Sequence, residues 1–213
     1  MTLGEACADL KLITGGSGMA MGLPANFVRK AQLKSGQSAS LPKVTGPAVV
    51  ISGSCSVATQ GQVALMKRDH EAFELEPMAI ASGRDLAQEA LDWAGSHLSE
   101  KPILIYSTAA PEQVKAVQAR LGREHAGAMV EETMGKIAKG LVAKGVHRLV
   151  VAGGETSGAV VGALGVEGLY IGPEIDPGVP WTFSIGKPTL ALALKSGNFG
   201  TEDFFTKAFK TQT

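Results

Sequence analysis

Cysteine is nearly missing from this 213-residue chain, which holds only Cys7 and Cys55. Two thiols cannot build a disulfide framework, and Cys55 sits inside a glycine-serine turn. A reducing, cytoplasmic compartment is the simplest expectation. Net charge is missing too, because 20 lysines and arginines offset 20 acidic residues. Without a basic stripe no counterions are released from a polyanion, which argues against a nucleic-acid partner. An anionic ligand would have to be steered by local dipoles instead. No run approaches the ~18 apolar residues of a membrane span. The opening MTLGEACADLKLITGG carries acidic residues and shows no basic-then-apolar signal segment.

Several signatures of chemistry are also lacking. There is no G-x-x-x-x-G-K-[ST] phosphate loop, no H-E-x-x-H zinc pair and no G-x-S-x-G nucleophile elbow. His70, His97, His125 and His147 are scattered, with no cysteine or carboxylate at ligand spacing. What remains is a chain that is 45% hydrophobic and 5% aromatic with 27 glycines, the profile of a tightly turned α/β domain rich in small side chains.

The central stretch is Leu149 to Gly165, LVVAGGETSGAVVGALG. An apolar run, Leu149 to Ala152, reads as a buried strand. It breaks at Gly153-Gly154, where φ > 0 is open to the backbone. Glu155, Thr156 and Ser157 are helix-capping types, and small residues then continue at helical spacing. A strand, a glycine turn and a helix start leave free N–H groups that suit an anion, usually a phosphate. The competing reading is a tight βα turn that binds nothing.

Taken in order, Leu10 to Gly15 reads as a first strand entering Gly16-x-Gly18-x-x-x-Gly22, similar to a dinucleotide fingerprint. A nicotinamide site would need an acid after the next strand, yet Pro47–Ser52 ends in Ser52-Gly53-Ser54. Between them, SGQSASLPKVTG is a polar surface loop. Ser54 and Ser56 are placed to cap a helix near Val57, with Ala58, Val63, Ala64 and Leu65 buried. A short strand at 72–75, a helix over 84–98 capped by Ser82 and a strand at 102–107 follow. Two helices fill 111–144, the second with a core stripe through Met134, Ile137, Ala138 and Leu141. Strands at 168–175, 181–185 and 189–194 come next, and Thr201 caps a closing helix. Glu174 and Asp176 in the loop between the first two read as exposed acids, with a water-mediated magnesium role the lesser alternative. No repeat or domain boundary stands out.

Four strand ends therefore carry glycine beside hydroxyl or amide side chains: 14–18, 52–56, 153–157 and 195–200. In a parallel sheet such turns gather on the carboxyl edge, where ligands of open α/β sheets bind. Together, TGGSGMAMGLPANF, VVISGSCSVATQGQ, VVAGGETSGAVVGALG, PGVPW and ALKSGNFG resemble the four-carbon acid sugar kinase family. The resemblance spans nearly the whole chain and implies the carboxyl-terminal, nucleotide-binding half of a two-domain kinase. It implies an α/β, Rossmann-like fold, with residues 1–213 as a single nucleotide-binding domain. It further implies ATP and Mg2+ as cofactors, and transfer of the γ-phosphoryl group to a four-carbon acid sugar such as 3-oxo-tetronate.

Carried over by motif, the ATP-binding residues are Ser52, Gly53, Ser54, Gly153, Gly154, Glu155, Thr156, Ser157 and Gly197. The N–H groups of Gly153, Gly154, Thr156 and Ser157 would hold phosphate oxygens, and Ser52 and Ser54 would add hydroxyls or N–H groups. Glu155 would take a ribose hydroxyl or magnesium, and Gly197 would let the backbone approach. No protein residue is read as a metal ligand in its own right. The sugar acid and the catalytic base belong to an amino-terminal half with no counterpart here, so the chain is expected to be inactive alone. Neither nucleic acid nor membrane is expected as a partner, and a homodimer remains possible. The alternative is a non-catalytic module that binds nucleotide or docks a partner.

Overall fold

A computed structural model describes residues 2–34 and 41–211. The chain divides into two compact units, Met1–Ser40 and Leu41–Thr213. The first contains three short helices, α1 (Thr2–Ala6), α2 (Ser17–Ala20) and α3 (Pro24–Arg29). Buried Asn26 ties it together by donating Nδ2 to the Gly4 carbonyl at 2.7 Å, and Arg29 pairs with Glu5 at 2.7 Å. The strand expected at 10–15 is not there. Leu10 and Leu12 lie exposed, and Gly16 is instead the N-cap of α2. An apolar run gains little as a strand without a partner to pair with, and the described residues of this unit supply none. Part of the expected polar loop, residues 35–40, lies outside the described residues.

The second unit runs β1 (Ala48–Ser52), α4 (Val57–Met66), β2 (Ala72–Glu74), α5 (Pro77–Ala81), α6 (Leu86–His97) and β3 (Ile103–Tyr106). It continues with α7 (Pro111–Leu121), α8 (Arg123–Ala143), β4 (Arg148–Ala152) and α9 (Gly154–Ala163). It closes with β5 (Leu169–Asp176), β6 (Val179–Ser184), β7 (Ala191–Lys195) and α10 (Phe204–Lys210). The seven strands form one sheet in the order β2-β3-β1-β4-β7-β6-β5. The first five are parallel, and β6 and β5 add antiparallel pairings at one side. This is the mostly parallel α/β architecture read from the sequence.

Alternation along each strand divides the core between two faces. Val49 and Ile51 of β1, with Ile103, Ile105, Leu149 and Val151, face the helices α6, α8 and α9. Ala48 and Val50, with Leu104, Val150, Ala191 and Ala193, face α4 and α10. Close helix packing is set by glycine. A Cβ on Gly135 of α8 would sit 3.1 Å from the Ala163 side chain and 3.3 Å from the Ala159 carbonyl of α9.

Several local expectations change. The buried face of α4 carries Thr59, Gln62, Val63 and Met66, while Ala64 is exposed. Two polar residues are thus turned inward, because they serve the turn after β7. Asp85, not Ser82, caps α6 by accepting from the Gln88 N–H at 3.1 Å. The closing helix begins at Phe204, because Thr201 bonds to Asp176 instead of capping. Asp176 is no exposed loop acid: it is 5% exposed, accepts from the Thr201 N–H and hydroxyl, both at 2.9 Å, and pairs with Lys207. Glu174 accepts from the Gly178 N–H at 2.9 Å.

Candidate functional site

The parallel register sets the strand tips level with one another. Ser52 lies opposite Tyr106 on β3 and Ala152 on β4, and Ala152 lies opposite Lys195 on β7. The residues that follow all leave from one edge of the sheet. From β1 the chain goes to β2 and β3 on one side, then crosses to β4 and β7 on the other. Strand order thus reverses between β1 and β4, the place where a crevice opens in such sheets.

Residues 52–54, 153–157 and 197 meet at that crevice. The N–H groups of Gly53 and Ser54 donate to the Ala152 carbonyl at 3.0 and 3.2 Å, and the Gly153 N–H donates to the Lys195 carbonyl at 2.9 Å. Gly153 has φ +126°, and a Cβ there would come within 2.8 Å of Thr156 Oγ1 and 3.3 Å of Ser54 N. Gly53 faces the same Thr156 hydroxyl, too close for any Cβ. Glycine at 53 and 153 lets the two turns interlock around the buried Thr156. The strand tip expected at 14–18 is not a strand tip.

The donors are distributed differently from the motif reading. Gly153 is committed to β7, and the Ser157 N–H closes the first turn of α9 on the Gly153 carbonyl at 2.9 Å. Gly154, Glu155 and Thr156 occupy the first three positions of α9, where an N–H has no intrahelical acceptor. Among the described residues these three carry no protein partner. Gly154 also faces open space, with nothing within 4 Å of an added Cβ. Ser52 reaches the edge, but its hydroxyl is fully buried and shares a 2.7 Å hydrogen bond with Thr108 Oγ1. It fixes the tips of β1 and β3 and offers no open donor.

A second helix start flanks the crevice. Ser56 caps α4 by accepting from the Thr59 N–H at 3.3 Å, which leaves the N–H groups of Val57 and Ala58 at the tip. The turn after β7 is laced onto it. Ser56 Oγ and Thr59 Oγ1 donate to the Gly197 carbonyl at 2.6 and 2.7 Å, and Gly197 has no Cβ because the Ser54 and Ser56 hydroxyls occupy that position. Gln62 Nε2 holds the next carbonyls, of Phe199, Gly200 and Thr201, at 3.0–3.2 Å. Beneath the turn lies Lys195, 1% exposed, with burial lowering its pKa to about 8. This residue was not legible as part of a site. Its only signal is a lysine closing the apolar run TLALAL at the edge where ligands bind.

A cavity of about 730 Å³ opens from the turns of β1 and β4. Its apolar wall includes Met78, Val114, Val117 and Val130, and Glu131 and Glu155 lie on its polar side. Burial, and then the Glu155 charge, raise the pKa of Glu131. Among the described residues no group of three or more metal-ligating side chains occurs, and no helix is long and apolar enough to cross a membrane.

Residues 49–205 match the family model described as the nucleotide-binding C-terminal domain. The chain is 56% identical over 209 residues to a 3-oxo-tetronate kinase of Burkholderia multivorans, covering 98% of this chain and 49% of that protein. It is 55% identical over 210 residues to the enzyme of the same name from Pseudomonas savastanoi pv. phaseolicola, covering 98% and 48%. A crystal structure of a Haemophilus influenzae protein from the DUF1537 family superposes with a TM-score of 0.81 at 37% identity, over 99% of this chain and 50% of that one. The chain thus spans about half the length of the relatives it matches. It belongs to the nucleotide-binding C-terminal domain family and corresponds to the carboxyl-terminal half of the 3-oxo-tetronate kinases it resembles.

Proposed function

We propose that this chain is the ATP-binding half of a kinase for a four-carbon acid sugar such as 3-oxo-tetronate. One observation carries the reading: two helix starts, α4 and α9, present N–H groups without a partner among the described residues at the point between β1 and β4 where strand order reverses. The N–H groups of Gly154, Glu155 and Thr156 would grip phosphate oxygens, aided by the positive end of α9. Gly197 and Ser54 form the facing wall, and Ser52, Gly53, Gly153 and Ser157 hold the two turns in place. The apolar walls of the cavity suit the adenosine moiety, whose flat base gains from contact with Met78 and the valines of α7 and α8.

Mg2+ fits the same place in a limited way. It is commonly held by one or two carboxylates plus the phosphates rather than by an all-protein cage. Glu131 and Glu155 supply hard oxygen donors, and their mutual repulsion marks a position where a cation is favoured. Bound there, the ion would neutralise developing charge on the phosphates. The chain's own contribution to γ-phosphoryl transfer is positioning and charge stabilisation. The sugar acid, which carries the acceptor hydroxyl, would be bound by the amino-terminal half, which would also supply the base, so residues 1–213 act as one nucleotide-binding unit of a larger enzyme.

Calorimetric titration with Mg-ATP tests this directly. The wild-type chain binds, and Gly154→Val weakens binding at least tenfold while melting within a few degrees of wild type, because position 154 faces open space. No heat of binding at millimolar nucleotide, or unchanged affinity in the folded variant, would refute the site. The matched family model is described by nucleotide binding alone, which favours one other reading, a binding module without catalysis. Adding a separately produced amino-terminal half separates the two: restored kinase activity supports the enzyme, binding without rescue the module.

A further inference from the structure

Among the described residues Lys195 is the one strongly buried ammonium whose hydrogen bonds all end on neutral oxygens. Its Nζ donates to Thr59 Oγ1 at 2.9 Å, to the Ser196 carbonyl at 3.1 Å and to the Gly197 carbonyl at 2.9 Å. Among the described residues no carboxylate pairs with it. An uncompensated buried charge is costly, and a neutral residue of similar length would fill the space more cheaply. Something else favours lysine here.

The peptide between Gly197 and Asn198 suggests what. Its carbonyl takes donors from Ser56, Thr59 and Lys195 together, all at 2.6–2.9 Å. In a trans peptide the N–H points opposite to the carbonyl. The carbonyl faces the buried ammonium, so the Asn198 N–H faces outward, and Asn198 is exposed. Among the described residues that N–H has no acceptor. A cation at the carbonyl end of a peptide draws electron density inward and makes its N–H a stronger donor to an anion, as in preorganised oxyanion sites. This N–H leaves from the same sheet edge as the open N–H groups of α9.

We propose that Lys195 is a positioning residue that acts through the Gly197–Asn198 peptide as a buried counter-charge for the polyphosphate. It sets a preference for nucleoside tri- and diphosphates over the monophosphate. This rests on the ATP reading of the preceding section. Among the described residues the ammonium's hydrogen-bond partners are uncharged: α4 presents Thr59, the turn presents the Ser196 and Gly197 carbonyls, and burial is the one cause of its lowered pKa. Glu202 lies in the segment after β7, the Asp176–Lys207 pair joins the end of β5 to α10, and none of them contributes to that shift.

The test is calorimetry with Mg-ATP, Mg-ADP and AMP at pH 7.0 and 8.5, each in two buffers of different ionisation enthalpy. With its pKa about 8, Lys195 is about one-quarter protonated at pH 8.5 in the free protein. An anion drawing on its charge should therefore recruit about 0.7 proton on binding at pH 8.5 and far less at pH 7.0. Lys195→Met should lose that uptake and lose ATP affinity ten- to a hundredfold, with AMP affinity changed less than threefold. Lys195→Arg, charged at every pH, should keep much of the ATP preference but show no uptake. A merely structural lysine would leave the wild-type uptake at zero, and that measurement needs no variant to fold. Zero uptake at pH 8.5 with normal ATP binding overturns this inference alone, as does an equal loss for all three nucleotides in folded Lys195→Met. Absence of ATP binding by the wild type overturns both readings.

Discussion

Asp176→Asn probes the anchor of the turn that carries the candidate site. The carboxylate is 5% exposed, and one of its oxygens takes both the N–H and the hydroxyl of Thr201 at 2.9 Å. Its other oxygen faces Lys207. An amide of the same shape must turn its NH2 toward one of these donors, setting donor against donor. The Lys207 side chain is 33% exposed, so the ion pair itself adds little. The mismatch and the weakened bonds to Thr201 dominate. A hydrogen bond to a charged group is worth about 1.5–3 kcal/mol, so the variant should lose about 2–3 kcal/mol. For a domain of this size that is a Tm lowered by about 4–12 °C, read by far-UV circular dichroism, with urea midpoints as the second measure. Acid gives an independent check. Burial is the largest single influence on Asp176 and pushes its pKa up, but Lys207 and the two Thr201 donors together outweigh it and leave the pKa below the ordinary aspartate value. A depressed carboxylate stabilises the fold above its unfolded pKa, about 3.9, and loses that contribution as pH falls through the folded pKa. The gap between wild type and variant should be full at pH 6–7 and shrink below about pH 4. A Tm within 2 °C of wild type at neutral pH would refute the reasoning, and so would a gap that ignores acid.

Two further outcomes follow from single contacts. Trp181 is fully buried and donates Nε1–H to the Ala208 carbonyl at 2.9 Å, so Trp181→Phe should cost about 1–3 kcal/mol, seen as a lower urea midpoint with an unchanged slope. Chelating magnesium with EDTA should weaken ATP binding at least tenfold, because Glu131 and Glu155 otherwise repel the phosphates; equal affinity with and without chelator would remove the ion from the site.

Much of the fold was legible because burial in a parallel sheet leaves continuous apolar runs, as in Val49–Ile51, Ile103–Ile105 and Leu149–Ala152. The same rule misled at Leu10–Ile13, where an apolar run has no strand beside it among the described residues. Helix faces were harder to read. In α4 the apolar Ala64 is exposed while Thr59 and Gln62 are buried, since their partners lie some 137 residues further on at Gly197 and Phe199. Periodicity cannot see a hydrogen bond made across that distance. Lys195 and Asp176 escaped for the same reason: a charged residue reads as surface until its partners are placed around it.

Glycine carries the sharpest lesson of the candidate site. Sequence reasoning treats every glycine at a strand tip as room for a ligand, but three of the four at the crevice make room for protein. Gly53 and Gly153 yield to Thr156, and Gly197 yields to the hydroxyls of Ser54 and Ser56. Only Gly154 opens onto empty space. The first three build the rim by letting adjacent turns approach backbone to side chain, and that interlock fixes where the N–H groups of α9 point. Alanine at 53 or 153 would therefore damage nucleotide binding by displacing the turns, with a loss of stability, whereas a side chain at 154 would act on the ligand alone. Melting temperature and affinity measured together distinguish the two kinds of glycine, which the motif GGETSG makes look alike.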